Sequence, residues 1–229
     1  KHKSEFNNLP MWEGDKIFFR LLDDNIPFFS LKLVYNLQGQ LESATLNGKP
    51  MEMFDVIDEN GNKTGSIKER GVVHREGTLH ATAHIWIARE NEKSGYDILL
   101  QKRSSIKDSH PGCYDISSAG HICAGDSVLE SALRELREEL GIDAKSEHLK
   151  EFGIQYKNYE GEFYGKPFKD HQRSILYLYS EPLDEKDLVL QESEIESVIW
   201  MDYLDALRAI RENTIKHCIY EEEFCKLGK

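Results

Sequence analysis

Apolar positions along the 229-residue chain follow two periods. Within residues 128–140, Leu129, Ala132, Leu133, Leu136 and Leu140 recur at spacings of three and four, which lines one face of a helix. Ser127 with Glu130 three residues later is a capping box that starts this helix at Val128. Gly141 suits the left-handed position just past its end. Elsewhere, short apolar runs broken by turn residues predict strands. Residues 16–22, 28–35 and 41–46, separated by Asp23-Asp24-Asn25 and Gln38-Gly39-Gln40, predict a small antiparallel β meander over residues 1–50. A sheet this small rarely stands alone, so its Phe and Leu residues are expected to pack on the main domain or on a second subunit, which favours a homodimer. Asn47-Gly48-Lys49-Pro50 reads as the linker to a second domain, residues 51–229.

In that second part, 53–57 predicts a strand, 58–62 a turn, and the chain returns from Lys63. Residues 81–88 and 97–103 predict a hairpin across the polar loop 89–95. Later strands fall at 152–159 and 173–179 with a loop at 160–170, and the last at 198–201. Residues 205–211 and 217–226 read as closing helices. The irregular alternation of strands and helices predicts an α/β fold with a mixed sheet.

Charge and composition narrow the partners. A formal net charge of -12 argues against a nucleic-acid polymer, which needs a basic footprint. It leaves room for a nucleotide-sized substrate whose charge is masked by cations. No apolar run is long enough for a membrane span, and the opening residues lack a signal-peptide pattern. Cys113, Cys123, Cys218 and Cys225 contain no C-x-x-C pair and read as reduced thiols, so a cytoplasmic location is expected.

Candidate chemistry concentrates on the capped helix. Glu135, Glu138 and Glu139 are related by i+3 and i+4 and share one side of it. Three carboxylates so placed repel one another unless a cation sits among them, and a hard divalent ion such as Mg²⁺ takes oxygen ligands of this kind. A solvated acidic face is the ordinary meaning of such a run. The turn from Gly120 to Asp126 before the helix and Gly141 after it favour a site instead. Arg134 can pair with Glu138 or with Asp126.

The spacing is Gly120, five residues, Asp126, seven residues, then Arg134-Glu135-Leu136-Arg137-Glu138-Glu139-Leu140-Gly141-Ile142. It resembles the Nudix box, G-x5-E-x7-R-E-U-x-E-E-x-G-U (U a bulky aliphatic residue), with Asp126 in place of Glu. The resemblance implies an α/β/α sandwich and a hydrolase of a small-molecule diphosphate linked to another moiety. It implies Mg²⁺, with Mn²⁺ as the alternative. Glu138, Glu139 and the Gly120 carbonyl would ligate the metal, and Glu135 would either ligate it or orient the attacking water. In the family the residue at position 126 positions the Arg, here Arg134; the shorter Asp is expected to weaken that contact or pass it through water. Nudix enzymes often take a general base from the loop before the last strand, which makes Glu194, beside Glu192, an alternative to Glu135.

A longer stretch, residues 53–142, resembles the Nudix branch related to type I isopentenyl diphosphate isomerase. It is carried by "FDVIDENGNKTG", "VVHREGTLHATAHIWI" and "LLQKRSSIKDSHPGCYDISSAGHICAGDS". The isomerase cysteine before Gly-His is Ala119 here, and its paired glutamates correspond to Lys169-Asp170-His171-Gln172. Cys123 lies four residues away and is no evident substitute. Isomerase activity is therefore the alternative to hydrolysis, with a non-catalytic ligand-binding Nudix module as a third reading. His74, His80 and His121 resemble three metal-binding histidines of the isomerase and could form an additional metal site. Each also has a plain role, with His80 bonding backbone at a strand start and His74 in an exposed loop. Lys102 and Arg103 would meet phosphate or solvent, and Trp86 and Trp200 would stack a base or pack in the core. Substrate identity lies in loops outside the box, such as 156–172.

Overall fold

The computed structural model describes residues 10–93 and 95–228. Residues 1–9 of the expected meander, and Ser94 of the expected polar loop, lie outside them.

The first element corrects the sequence reading. Residues 16–22 belong to a helix, α1 (Glu13–Asp23), not to a strand. Gly14, Ile17 and Leu21 sit three and four apart and are buried together, which is helical spacing. A three-stranded antiparallel sheet follows: β1 (Leu31–Tyr35), β2 (Leu41–Leu46) and β3 (Lys49–Pro50). The expected linker 47–50 is thus a tight turn into a third strand, with Leu46 opposite Lys49. Ile17, Leu21, Leu41 and Ala44 pack with Met53 and Val72, so this unit is seated on the rest of the chain.

β4 (Met53–Ile57) and β5 (Lys63–Glu69) form a separate hairpin. It leads directly into α2 (Arg70–Glu76), whose N-cap Glu69 accepts from Val72 N. The main sheet has seven strands. β6 (His80–Asn91) and β7 (Gly95–Arg103) pair only near their turn, and they diverge beyond it. Two short strands fill the wedge: β8 (Tyr114–Asp115) on β7 and β9 (Ser118–His121) on β6. After α3 (Val128–Leu140), β10 (Leu149–Phe163) and β11 (Lys166–Tyr179) make one long ribbon. Residues 160–170, expected as a loop, are therefore mostly paired strand around a turn at Tyr164 and Gly165. β11 runs parallel to β6, and β12 (Ile195–Asp202) closes the other edge antiparallel to β7, giving the expected mixed sheet.

Helices cover both faces. α3 buries Ala132, Leu136 and Leu140 against Ala83, Ile85 and Ile87 of β6. α4 (Tyr203–Arg211) and the short α5 (Glu221–Phe224) cover the opposite face, where Ala206, Ile210 and Phe224 meet Trp86, Ile98 and Leu100. The expected closing helix 217–226 is reduced to α5, because Tyr114 bridges His217 and holds residues 216–218 extended. The result is the α/β/α sandwich with an N-terminal antiparallel sheet. Among the described residues no helix is long and apolar enough to cross a membrane.

Candidate active site

Where β6 and β7 part, the sheet opens into a polar cavity of about 300 Å³. Its floor follows from strand alternation. On β6 the odd positions Ala83, Ile85 and Ile87 belong to the α3-side core. The even positions Thr82 and His84 line the cavity. Opposite them on β9, His121 faces Thr82 and Ala119 faces His84. Thr82 Oγ1 donates to Ser174 Oγ of β11 at 2.8 Å.

The glutamates reach this cavity from α3. Ser127 caps the helix as expected, its oxygen accepting from Glu130 N, and Gly141 adopts φ 73° at the C-terminal end. Glu139 is buried; Ser118 Oγ donates to its Oε2 at 2.6 Å and Ala119 N at 3.3 Å. Burial pushes its carboxyl up to about 8, with Glu135 adding to the rise. Burial pushes Glu135 up to about 7 against the Arg134 guanidinium, with Glu138 and Glu52 adding to the rise. A Cβ on Gly120 would overlap the Glu135 carboxylate, so the missing side chain is what lets Glu135 pass β9. Glu138 also lines the cavity, from an exposed position. The three carboxylates and Gly120 thus converge, and two of the acids are held in a state that a nearby cation would relieve. That donor set, all oxygen, fits a hard divalent ion.

Arg134 bonds Asp126 Oδ2 directly at 2.7 Å and not Glu138; the shorter Asp needs no bridging water. The same guanidinium reaches Glu135 Oε1 at 3.3 Å and the His121 carbonyl at 3.5 Å, bracing the box against β9.

Basic groups share the cavity. Arg103 is held by Asp115 at 3.1 Å and by the Ser109 carbonyl at 3.0 Å, whereas Lys102 turns away to Glu196. Lys107 pairs with Glu194. Lys157 is half-buried beside Asp170, at 3.2 Å. Burial opposes the charge of Asp170, but Lys157 holds its carboxyl below the ordinary range. Trp86 packs in the core and donates its indole N–H to Glu223, while Trp200 lies under Arg89; neither lines the cavity.

The three histidines do converge. Ligand atoms of His74, His80 and His121 lie within 4.8 Å of one another. His74 sits in α2 and is buried, not in an exposed loop. His80 Nδ1 bonds the Thr78 carbonyl at 2.9 Å, but its Nε2 is buried without a partner, as is His74 Nε2. Asp170 Oδ1, 3.9 Å from His80 Nε2 and 4.0 Å from His74 Nδ1, is likewise unpartnered. Burial lowers His74 to about 4 and moves His80 and His121 down as well, so all three present neutral nitrogens. Orphaned nitrogens and an orphaned carboxylate oxygen facing one another are a fitting donor set for a transition-metal ion.

Sequence reasoning missed Glu52, Lys157, His84 and Glu223 in this cavity. For His84 a signal existed: His80-Ala81-Thr82-Ala83-His84 alternates polar and apolar residues, so all three polar residues share a face.

Comparison with known proteins identifies the family. The NUDIX domain model matches residues 78–221. Nudix hydrolase 3 of Arabidopsis thaliana is 40% identical over 156 residues, covering 66% of this chain but only 19% of that protein. The chain thus spans about a fifth of that relative's length. An uncharacterized Nudix hydrolase of Clostridium acetobutylicum is 35% identical over 164 residues, 72% of this chain and 76% of the relative. Isopentenyl-diphosphate Delta-isomerase of Serratia proteamaculans is 33% identical over 104 residues, 45% of this chain and 55% of the relative. With its box, its cavity and these relatives, the chain belongs to the Nudix hydrolase family, in a branch that resembles isopentenyl diphosphate isomerase.

Proposed function

We propose that this chain hydrolyses the diphosphate linkage of a nucleoside diphosphate-X or related small organic diphosphate, with Mg²⁺, or Mn²⁺ in its place, at Gly120, Glu135, Glu138 and Glu139. The observation that carries the reading is the convergence of these carboxylates with cationic side chains in one cavity. A divalent ion bound there would polarise phosphoryl oxygens and lower the pKa of a bound water. Arg103 and Lys107 supply positive charge for the phosphates, each steadied by an acidic partner. Of the two general-base candidates Glu135 is the better placed, since it passes β9 at Gly120 to reach the carboxylates that would hold the ion. Glu194 is engaged by Lys107 and serves better to hold that cation in place. Arg134 positions Glu135.

Glu138→Gln tests this. Phosphate release from a panel of nucleoside diphosphate-X and alkyl diphosphates should fall by about 10²-fold or more, as for loss of a preorganised charged group. Turnover equal to wild type on every substrate cleaved would reject the assignment.

Isomerisation is disfavoured by Ala119, which lines the cavity where the isomerase resemblance calls for a cysteine, and by Lys169-Asp170-His171-Gln172, which lacks its paired glutamates. Incubation with isopentenyl diphosphate in D₂O should leave no deuterium in an allylic product; its appearance would overturn this reading.

The histidine cluster supports a second, transition-metal site. Protein equilibrated with Mn²⁺ or Zn²⁺ and desalted should retain more metal than His80→Ala treated alike, measured by plasma mass spectrometry. Equal metal content in the two would exclude the site.

A further inference from the structure

The cavity floor has a polar end that the hydrolase reading leaves without a task. His84 is nine-tenths buried and opens onto the cavity. Its Nδ1 lies 3.0 Å from both carboxylate oxygens of Glu223 on α5. Glu223 is itself buried, and it also accepts the Trp86 indole N–H at 2.9 Å. An ionised carboxylate only accepts hydrogen bonds, so Nδ1 must carry the proton. That leaves Nε2 as the ring's remaining hydrogen-bonding atom: a lone pair when the ring is neutral, an N–H when it is charged. Unlike the Nε2 atoms of His74 and His80, it is not shut away from the cavity space.

With its tautomer fixed by a carboxylate, the imidazole presents Nε2 to whatever the cavity binds. Its position suggests the use. His84 faces Ala119 directly across the strands, so the two side chains are neighbours at roughly 5 Å. The small methyl of Ala119 leaves the ring uncovered. Ala119 N also bonds Glu139, which places the ring one strand away from the proposed metal-binding carboxylates. His80 is four residues away on the same strand, about 13 Å at 3.3 Å per residue. The floor therefore runs from the histidine cluster at one end to His84 and Glu223 at the other.

We infer that His84, oriented by Glu223, is a substrate-positioning residue whose Nε2 hydrogen-bonds an oxygen of the bound organic diphosphate. This rests on the hydrolase reading for the location of the diphosphate, but not on turnover. The oxygen has two possible sources, a phosphate or a hydroxyl of the attached group.

Uncleavable probes separate these sources. Methylenediphosphonate carries phosphonate oxygens alone; α,β-methylene-ADP adds a hydroxylated nucleoside. Dissociation constants are measured with Mg²⁺ by calorimetry for wild type, His84→Leu and His84→Gln. The Leu variant should bind about tenfold more weakly; Gln, which donates to Glu223 and turns its carbonyl oxygen to the ligand, should recover much of the loss if the partner is a hydroxyl and little if it is a phosphate oxygen, which only accepts. Weakening of both probes assigns a phosphate oxygen; weakening of α,β-methylene-ADP alone assigns a hydroxyl. Wild-type affinity for both probes in the Leu variant would overturn the inference. A second measurement needs no variant: in protein with ¹⁵N-labelled histidine, a bound probe should shift the His84 Nε2 resonance. If neither probe moves it, the inference is wrong. Turnover lost in Glu138→Gln without any His84 effect rejects this inference alone, while probe binding through His84 without turnover in wild type rejects only the hydrolase reading.

Discussion

Glu139→Gln is expected to lower phosphate release by about 10²–10³-fold, the size of loss found when one preorganised electrostatic group is removed from an active site. The fold should not suffer. Glu139 is buried, and burial first, then Glu135, pushes its carboxyl up to about 8, so near neutrality the cation-free protein holds it largely as the neutral acid. Glutamine has the same shape, and its amide oxygen can accept from Ser118 Oγ and Ala119 N, the two donors now on Oε2. A merely structural role needs only those accepted hydrogen bonds, which glutamine keeps, so it predicts unchanged turnover, whereas a metal ligand needs the charge. Parallel thermal melts without divalent cation and phosphate-release assays with Mg²⁺ decide the matter. A variant that keeps its melting temperature and full turnover would remove Glu139 from the metal-binding set.

How legible this site was depended on how local its determinants are. α3 was readable to the residue because its cap at Ser127, its apolar stripe and Gly141 all lie within fifteen residues. The same holds for the carboxylates, which share a helix with their spacing fixed by its pitch. α1 was not readable in this way. Its Ile17-Phe18-Phe19 run looks like a strand, and the choice of helix is made by Ile17 and Leu21 packing on Leu41, Met53 and Val72. α2 escaped notice because it spans only seven residues and its cap is a glutamate, Glu69, also held by Arg20 at 3.0 Å. The tip of the β10–β11 ribbon mixes charged residues, glycines, Pro167 and aromatics without a regular period, so its pairing partner is what identifies it as strand. The wall of the cavity shows the same limit. His84 and Glu223 are 139 positions apart, and no window along the chain contains both. What a single strand can show, though it went unread here, is the alternation that puts His80, Thr82 and His84 on one face.

The stability gained on adding Mg²⁺ should grow as pH rises, because the cation binds the ionised form of acids that the fold alone holds protonated. Burial raises Glu139 from 4.5 to about 8 and Glu135 to about 7, so the folded chain without cation binds more protons than the unfolded chain between those limits. Groups with raised pKa contribute stability that is complete below the unfolded value and is lost as pH climbs through the folded one. The buried histidines act in the opposite sense. His74, lowered to about 4 chiefly by burial, costs stability as pH falls below its ordinary 6.5, and His80 and His121 follow it in direction. Above pH 6.5 each of these histidines can return at most about 0.4 kcal/mol as its unfolded form loses its remaining proton, which the glutamates outweigh, so the cation-free protein should lose stability from pH 6.5 to 8.5. For Glu139 alone the loss is on the order of 2 kcal/mol at 1.36 kcal/mol per unit. In a chain of this size that corresponds to ~5 °C in melting temperature. Saturating Mg²⁺ should cancel most of this slope, and Glu139→Gln should flatten it without any cation. Melts at pH 6.5, 7.5 and 8.5, with and without Mg²⁺, measure both effects. A Mg²⁺ shift that stays constant across this range, or a Glu139→Gln slope as steep as wild type, would show that these carboxylates do not meet at a cation site.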